Sequence, residues 1–376
     1  MKIFKRIMLG IILIILLIVG AVFIFFKTAP QIGGKLQGER LEKAQQAKNF
    51  KDGTFHNTVE TKMDMSFKDV RKTLAHYLFA DKSDKSPKQP IETRPFNAAS
   101  FESIPDSIMG ISWFGHSSIL LKIEGKTILI DPILEGKRAS MFSFMGPERF
   151  PYNEYVTVDD LPKIDAVIIS HDHYDHLDYP TIKSLKEKVG RFYMPLGVGA
   201  HFEHWGLESK SITELEWWDE IQLENVTLAL TPTRHFSGRG FGDRFKTLWG
   251  SWVIMGSDKR IYFSGDSGYF PGFKQIGEKY GPFDLTFMEC GAYNESWSEI
   301  HMFPEETAQA HLDVKGKLLM PIHWGKFDLA LHPWKESVNR LAKKAKEENI
   351  ELFTPEIGQL ITLSESLSVE KWWETR

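Results

Sequence analysis

The sequence predicts a layered α/β domain set behind a single N-terminal membrane-spanning helix. Three observations carry that prediction. Residues 7–26 form an uncharged, almost wholly apolar run. From Ile111 onward, short apolar or β-branched runs alternate with helical patterns, the mixture of hairpins and interposed helices that marks a layered α/β or α+β fold. A dense His/Asp segment follows one of those runs directly, at 171–176.

The apolar run comes first. Its 20 residues are enough to cross a bilayer as a helix. It ends Phe25-Phe26-Lys27-Thr28-Ala29, a poor exit for a cleaved signal peptide, so an uncleaved anchor is expected. Lys2, Lys5 and Arg6 precede it and favour a cytoplasmic N-terminus, which puts the remainder on the outer face. Residues 1–27 are therefore read as the anchor, and 28–109 as a polar stalk and extension packing partly on the domain. Within the extension, 31–51 is rich in Lys, Glu and Gln, 65–79 has helix-like apolar spacing, and 81–88 is a turn-prone linker.

The main domain is expected over 110–376. Ile111-Ser112-Trp113-Phe114 and 118–123 read as strands, and Glu124-Gly125 as a hairpin turn into 126–130. Ala166-Val167-Ile168-Ile169-Ser170 reads as a buried strand, followed by a helix over 179–189. Further strands are expected at 191–194, 226–230, 250–255, 260–264 and 318–321, with helices over 304–312 and 333–348. Glu305 and Glu306 suit the first turn of the former, where negative charge meets the helix dipole.

Composition narrows the chemistry. The chain is 42% hydrophobic and 26% charged, a globular balance, and its net charge of −4 offers nucleic acid no basic face. The one cysteine, Cys290, excludes an internal disulfide and a Cys-based zinc site, and is read as a core residue.

The segment Ser170-His171-Asp172-His173-Tyr174-Asp175-His176 has the form H-x-H-x-D-H. On an extended chain His171 and His173 point to one side, and a turn can bring Asp175 and His176 round. So many imidazoles and carboxylates would be costly in a core, yet they are the ligand types of zinc. His235, Asp266 and His323 each follow an apolar strand and supply candidates for the rest of a two-metal site.

This pattern resembles the metallo-β-lactamase superfamily, and within it the branch of N-acylphosphatidylethanolamine-hydrolysing phospholipase D and, more distantly, ascorbate-6-phosphate lactonase. Supporting stretches include Trp113-Phe114-Gly115-His116-Ser117-Ser118, Leu248-Trp249-Gly250-Ser251-Trp252 and Ile322-His323-Trp324-Gly325, within a similarity covering roughly 111–325. The resemblance implies a four-layer αββα sandwich. It also implies two divalent ions, Zn2+ by ligand type: His171, His173 and His235 on the first, Asp175, His176 and His323 on the second, and Asp266 between them. Asp175 and Asp266 would then take part in catalysis, and His301 matches a family histidine that faces substrate.

Around this set, Asp131 and Asp178 are candidate partners of the ligands or simple turn residues. His116 either faces the site or is structural. Arg239 is either a phosphate partner or a solvated loop cation. Trp217-Trp218, Trp249 and Trp252 belong to the core or the pocket rim, and Trp372-Trp373 to the membrane or the domain surface. Metal ions of this kind make hydroxide available near neutral pH. The implied substrate is a phospholipid such as N-acyl phosphatidylethanolamine. The alternatives are a lactone or other acyl compound, small and perhaps phosphorylated, and, in a different class, a non-catalytic metal-binding module.

Overall fold

The computed structural model describes residues 2–63, 71, 84–240, 242–363 and 371–374. The apolar run forms a helix, Lys2–Thr28, whose large side chains are exposed along its length and which is long and apolar enough to cross a membrane. A short hairpin, β1 (Phe50–Lys51) and β2 (Thr54–Phe55), precedes the main domain.

The domain is built on two seven-stranded sheets. The first contains β3 (Gly110–Trp113), β4 (Ile119–Ile123), β5 (Lys126–Ile130), β6 (Ile164–Ile168), β7 (Val189–Pro195) and β8 (Ile212–Leu215). The second contains β9 (Glu220–Leu223), β10 (Val226–Thr231), β11 (Ser251–Met255), β12 (Arg260–Phe263), β13 (Phe283–Glu289), β14 (Gly316–Ile322) and β15 (Glu351–Leu352). The chain then returns to the first sheet, where β16 (Leu360–Thr362) pairs antiparallel with β3. Each sheet is antiparallel on one side and parallel on the other, β5 to β8 in the first and β12 to β15 in the second.

Side-chain alternation explains the layering. Ile119, Leu121 and Ile123 of β4 and Ile128 and Ile130 of β5 point into the cluster between the sheets. Leu120 and Leu129 point the other way, to a second cluster with Ile182, Leu185 and Phe202 of the covering helices. Both faces are buried, so these strands are continuous apolar runs. Helices Pro304–Asp313 and Glu336–Glu347 cover the second sheet through Ala308, Val338 and Leu341, giving the expected αββα order. The Glu124-Gly125 turn has both residues left-handed (φ 49° and 74°), matching the twist of a tight hairpin.

The structure shortens two expected helices. The helix after the metal motif is Tyr179–Leu185, because Val189 already begins β7. The last begins at Glu336 instead of 333. Apart from residue 71, the helix expected over 65–79 lies outside the described residues, as does the start of the 81–88 linker. In the extension, Gly38–Gln46 is helical and lies against the domain instead of standing free, and a shorter helix, Ala98–Glu102, precedes the first sheet. Ala44 and Ala47 are buried, and Arg40 pairs with Glu203 (2.8 Å) and Glu214 (2.7 Å).

Cys290, Trp217, Trp249 and Trp252 are buried, while Trp218 is half-buried and stacks on Tyr280. Trp372 and Trp373 are also buried, with Trp372 stacked on Trp324 at 5.3 Å, so this C-terminal pair docks on the domain.

Candidate metal centre

Loops from both sheets meet at one edge of the sandwich. His171 leaves β6, His235 follows β10, Asp266 follows β12 and His323 directly follows β14. Two glycines let the strand ends approach. Gly265 is left-handed (φ 55°), and a Cβ there would meet the Gly250 carbonyl oxygen at 2.7 Å and Ser170 Cβ at 3.0 Å. A Cβ on Gly291 would lie 1.5 Å from the His323 carbonyl oxygen.

The seven sequence-predicted side chains come together in two groups. In the first, His171 Nε2 and His235 Nε2 lie 2.9 and 3.2 Å from His173 Nδ1, and 3.7 and 3.8 Å from Asp266 Oδ2. In the second, His176 Nε2 lies 3.2 Å from Asp266 Oδ1 and 3.5 Å from Asp175 Oδ2. His323 Nε2 lies 3.0 Å from Asp266 Oδ2 and 3.3 Å from Asp175 Oδ2. Ligands 2.0–2.1 Å from a tetrahedral zinc ion stand about 3.3 Å apart, so both groups have the right spacing. Asp266 belongs to both.

The donor atoms also lack other work. His176 Nε2, His323 Nε2 and Asp266 Oδ1 are buried without a hydrogen bond. Buried polar atoms are ordinarily paired, so such a cluster fits a bound cation. Electrostatics agrees. Burial, together with neighbouring imidazoles, holds His171 and His235 well below the usual histidine range. At His176 and His323 burial is outweighed by Asp266 and Asp175, which push His323 up to about 10. Asp175 and Asp266 stay well below the usual carboxylate range despite their burial, held there mainly by the charge of His176. The centre attracts positive charge.

In three of the histidines the ring nitrogen facing away is anchored, which fixes the facing one as an acceptor. His176 Nδ1 lies 2.7 Å from Asp131 Oδ2, His235 Nδ1 donates to the Ile300 carbonyl (2.9 Å), and His171 Nδ1 meets Ser170 Oγ (2.9 Å). Asp131 thus braces His176, and it also accepts from the Ser170 backbone N–H at 2.7 Å.

Asp178 does not touch the ligands. Its carboxylate caps helix Tyr179–Leu185, accepting from Thr181 N at 3.0 Å and from Gly136 N at 2.9 Å. Arg239 is neither a phosphate partner nor solvated. It is 2% exposed, and its guanidinium donates to the carbonyls of Asp172 (2.6 Å), Leu177 (2.8 Å) and Gln31 (2.9 Å).

His301 reaches the centre from the loop before helix Pro304–Asp313. Its ring centroid is 5.0 Å from that of His235 and 5.3 Å from that of His323, and its Nδ1 is 3.5 Å from Glu289 Oε2. His116 sits in the second group, with Nε2 3.0 Å from Asp175 Oδ2 and its ring 4.1 Å from that of His323. His116 (φ 55°), Asp131 (φ 38°) and His323 (φ 67°) all have left-handed backbones.

Three supporting residues escaped the sequence reading. Asp172, inside the motif, points away from the metal groups and accepts from Gly238 N and Thr247 Oγ1, both at 2.7 Å. Glu289 is fully buried, and a carboxylate ending the apolar strand Phe283–Glu289 was its available signal. Asn57 of the extension donates to the His235 carbonyl (2.8 Å) and accepts from its N–H (3.1 Å), a pairing across 178 positions that no local pattern announces.

Comparison with known proteins agrees with this geometry. The β-lactamase superfamily domain matches residues 126–324. An uncharacterized protein of Mycobacterium tuberculosis is 41% identical over 337 residues, 88% of each chain. The N-acyl-phosphatidylethanolamine-hydrolyzing phospholipase D 1 of Caenorhabditis elegans is 33% identical over 273 residues, covering 69% of this chain and 75% of that one. Among solved structures, the metallo hydrolase Igni18 of Ignicoccus hospitalis shares the fold with a TM-score of 0.53 at 20% identity, over 69% of this chain and all of its own. With fold, sequence relatives and a site suited to divalent cations in agreement, the chain belongs to the metallo-β-lactamase superfamily as a metal-dependent hydrolase, in the branch of the N-acylphosphatidylethanolamine-hydrolysing phospholipases D.

Proposed function

We propose that this protein is a membrane-anchored phosphodiesterase that cleaves a phospholipid in the manner of a phospholipase D, with two Zn2+ ions held by His171, His173 and His235, by Asp175, His176 and His323, and by Asp266 between them. N-acyl phosphatidylethanolamine is the substrate to test, because a relative named for its hydrolysis is 33% identical. The observation that carries the reading is the position of Asp266, whose two carboxylate oxygens serve both groups. Helix Lys2–Thr28 would hold the domain at the membrane, on the extracytoplasmic side by the charge rule.

Divalent ions held there would supply a deprotonated water near neutral pH and offset negative charge growing on phosphoryl oxygens. The chain's own groups orient the rest. Asp175 is partly open, its side chain 13% exposed, and is placed to take a proton from an attacking water. His301, 12% exposed and backed by Glu289, is placed to donate a proton to a departing alkoxide. Water adds to phosphorus, the bond to the ethanolamine oxygen breaks, and phosphatidic acid and an N-acylethanolamine leave.

Zinc-loaded full-length protein mixed with vesicles containing N-acyl phosphatidylethanolamine should release phosphatidic acid. If no phosphatidic acid forms while lactones or esters are hydrolysed, the phosphodiesterase reading fails and the acyl-hydrolase reading replaces it. If metal is bound and nothing in either panel is cleaved, the chain is a binding module.

A further inference from the structure

A finger of chain rises beside the metal centre. Residues 137–149 pair back on themselves: Arg149 N donates to the Lys137 carbonyl and Ala139 N to the Pro147 carbonyl, both at 3.0 Å, and Arg138 forms an ion pair with Glu148. The tip reads Met141-Phe142-Ser143-Phe144-Met145, apolar but for one serine. Phe144 is 73% exposed and Met145 54%. Outside the N-terminal helix, the only other exposed large apolar side chains among the described residues are Tyr155 and Leu312, so this tip is a local exception. Water-facing aromatic tips are costly for a soluble surface and normally mark a contact.

The neighbour at the tip says what covers it. Phe25, near the end of helix Lys2–Thr28, stacks on Phe142 with centroids 4.9 Å apart and planes at 22°, and Phe142 in turn meets Phe144 at 5.6 Å. The apolar surface of the helix therefore runs without interruption onto the finger.

Both elements are also rooted in the loops that carry the metal-site residues. At one root of the finger, Gly136 N donates to Asp178 and Leu134 N to Thr181, just past the H-x-H-x-D-H motif. At the other root, Phe150 N donates to the Lys326 carbonyl, just past His323. The segment leaving the helix is fixed by Arg239, which joins the Gln31 carbonyl to that of Asp172.

We propose that the finger tip, residues 141–145, enters the same membrane leaflet as the end of the N-terminal helix, giving the domain a second lipid contact that holds the metal-site loops against the bilayer surface. The occupant of the tip is the acyl-chain region of the leaflet, and the argument is its continuity with the helix; the inference rests on the reading of Lys2–Thr28 as a membrane span.

Fluorescence quenching tests it. The only native thiol, Cys290, is fully buried, so an introduced cysteine at the exposed tip serine can be labelled selectively. The full chain carrying Ser143→Cys with an environment-sensitive dye, reconstituted in phosphatidylcholine vesicles, should show blue-shifted emission that is quenched by lipids bearing a shallow doxyl group. The same dye at Leu17→Cys, in the middle of the helix, should be quenched by deep doxyl groups, and at Glu224→Cys, on an exposed turn of the sandwich, by neither. If the Leu17 probe is quenched and the Ser143 probe stays in water, the finger proposal is overturned and the span stands. A blue shift at Ser143 without lipid quenching means that protein covers the tip, a second copy included, and also overturns it. If the Leu17 probe itself is not quenched, the span reading fails and takes this proposal with it.

Discussion

The two halves of the metal centre share Asp266 but differ in how they are charged and braced. The first half, His171, His173 and His235, offers three imidazoles, and burial drives His171 and His235 toward neutrality. Its supports are neutral groups, Ser170 Oγ and the Ile300 carbonyl. The second half offers two imidazoles that nearby carboxylates make basic, and His176 is braced by a buried carboxylate, Asp131. It also adds Asp175 and a neighbour, His116, whose own pKa burial and His323 depress to about 3. A neutral nest thus adjoins an anionic one, and the two should respond differently to damage.

The harshest way to break that contrast is to remove what the halves share. Asp266→Ala should empty both halves and abolish hydrolysis; metal content measured by elemental analysis decides, and a variant retaining two equivalents refutes the shared role. Asp131→Asn should act chiefly on the second half, because Asp131 touches His176 directly and reaches His171 only through Ser170 Oγ. It replaces the carboxylate behind His176 and should weaken metal binding there by about 10–100-fold while leaving the first half filled. Competition with graded chelators would show the second site loosened more than the first, and equal loosening of both would contradict the division.

Asn57→Ala is the gentler counterpart on the first half. It removes two hydrogen bonds that hold the His235 backbone and one to Trp249 Nε1, each worth about 1 kcal/mol. A lower melting temperature, with metal lost first from the site that Asp131→Asn disturbs less, would sharpen the comparison; a loosened second site would blur it.

The smallest effect concerns Lys326, three residues past His323. It is buried, and its Nζ donates to the carbonyls of Phe114 (3.0 Å) and Ile133 (2.6 Å). Burial, with Arg149 nearby, lowers its pKa from 10.5 to about 7. Between those values the unfolded lysine holds a proton that the folded one lacks, so stability should rise with pH, by up to about 1.4 kcal/mol per unit. Below pH 7 both states are protonated and this dependence vanishes. Lys326→Met should flatten the slope of urea-unfolding stability between pH 7 and 9, and an unchanged slope would place the lysine's titration elsewhere.

The parts of this site that could be read in the sequence are those whose meaning is local. The segment 171–176 announces itself because four candidate ligands follow one apolar strand, and His235, Asp266 and His323 repeat the arrangement of an apolar strand before a polar ligand. His116 could not be assigned from its turn, since its partner Asp175 lies 59 positions away. Arg239, among glycines, read as a phosphate partner or a solvated cation, yet three backbone carbonyls that only the folded chain assembles surround it. The short strands β8, β9 and β16 were missed because each is only three or four residues long at a sheet edge, too brief for periodicity to register. Asp178 had two readings of equal merit, and the helix start at Tyr179 decided for the cap.

The left-handed backbones of His116, Asp131 and His323 have an evolutionary corollary. Histidine and aspartate tolerate that conformation better than most residues, yet glycine adopts it with far less strain. At Asp131 that gain is outweighed, because glycine would leave the buried Ser170 N–H without its acceptor, a cost of about 1–3 kcal/mol. Drift toward glycine at that turn is therefore opposed by folding itself, before any demand of catalysis.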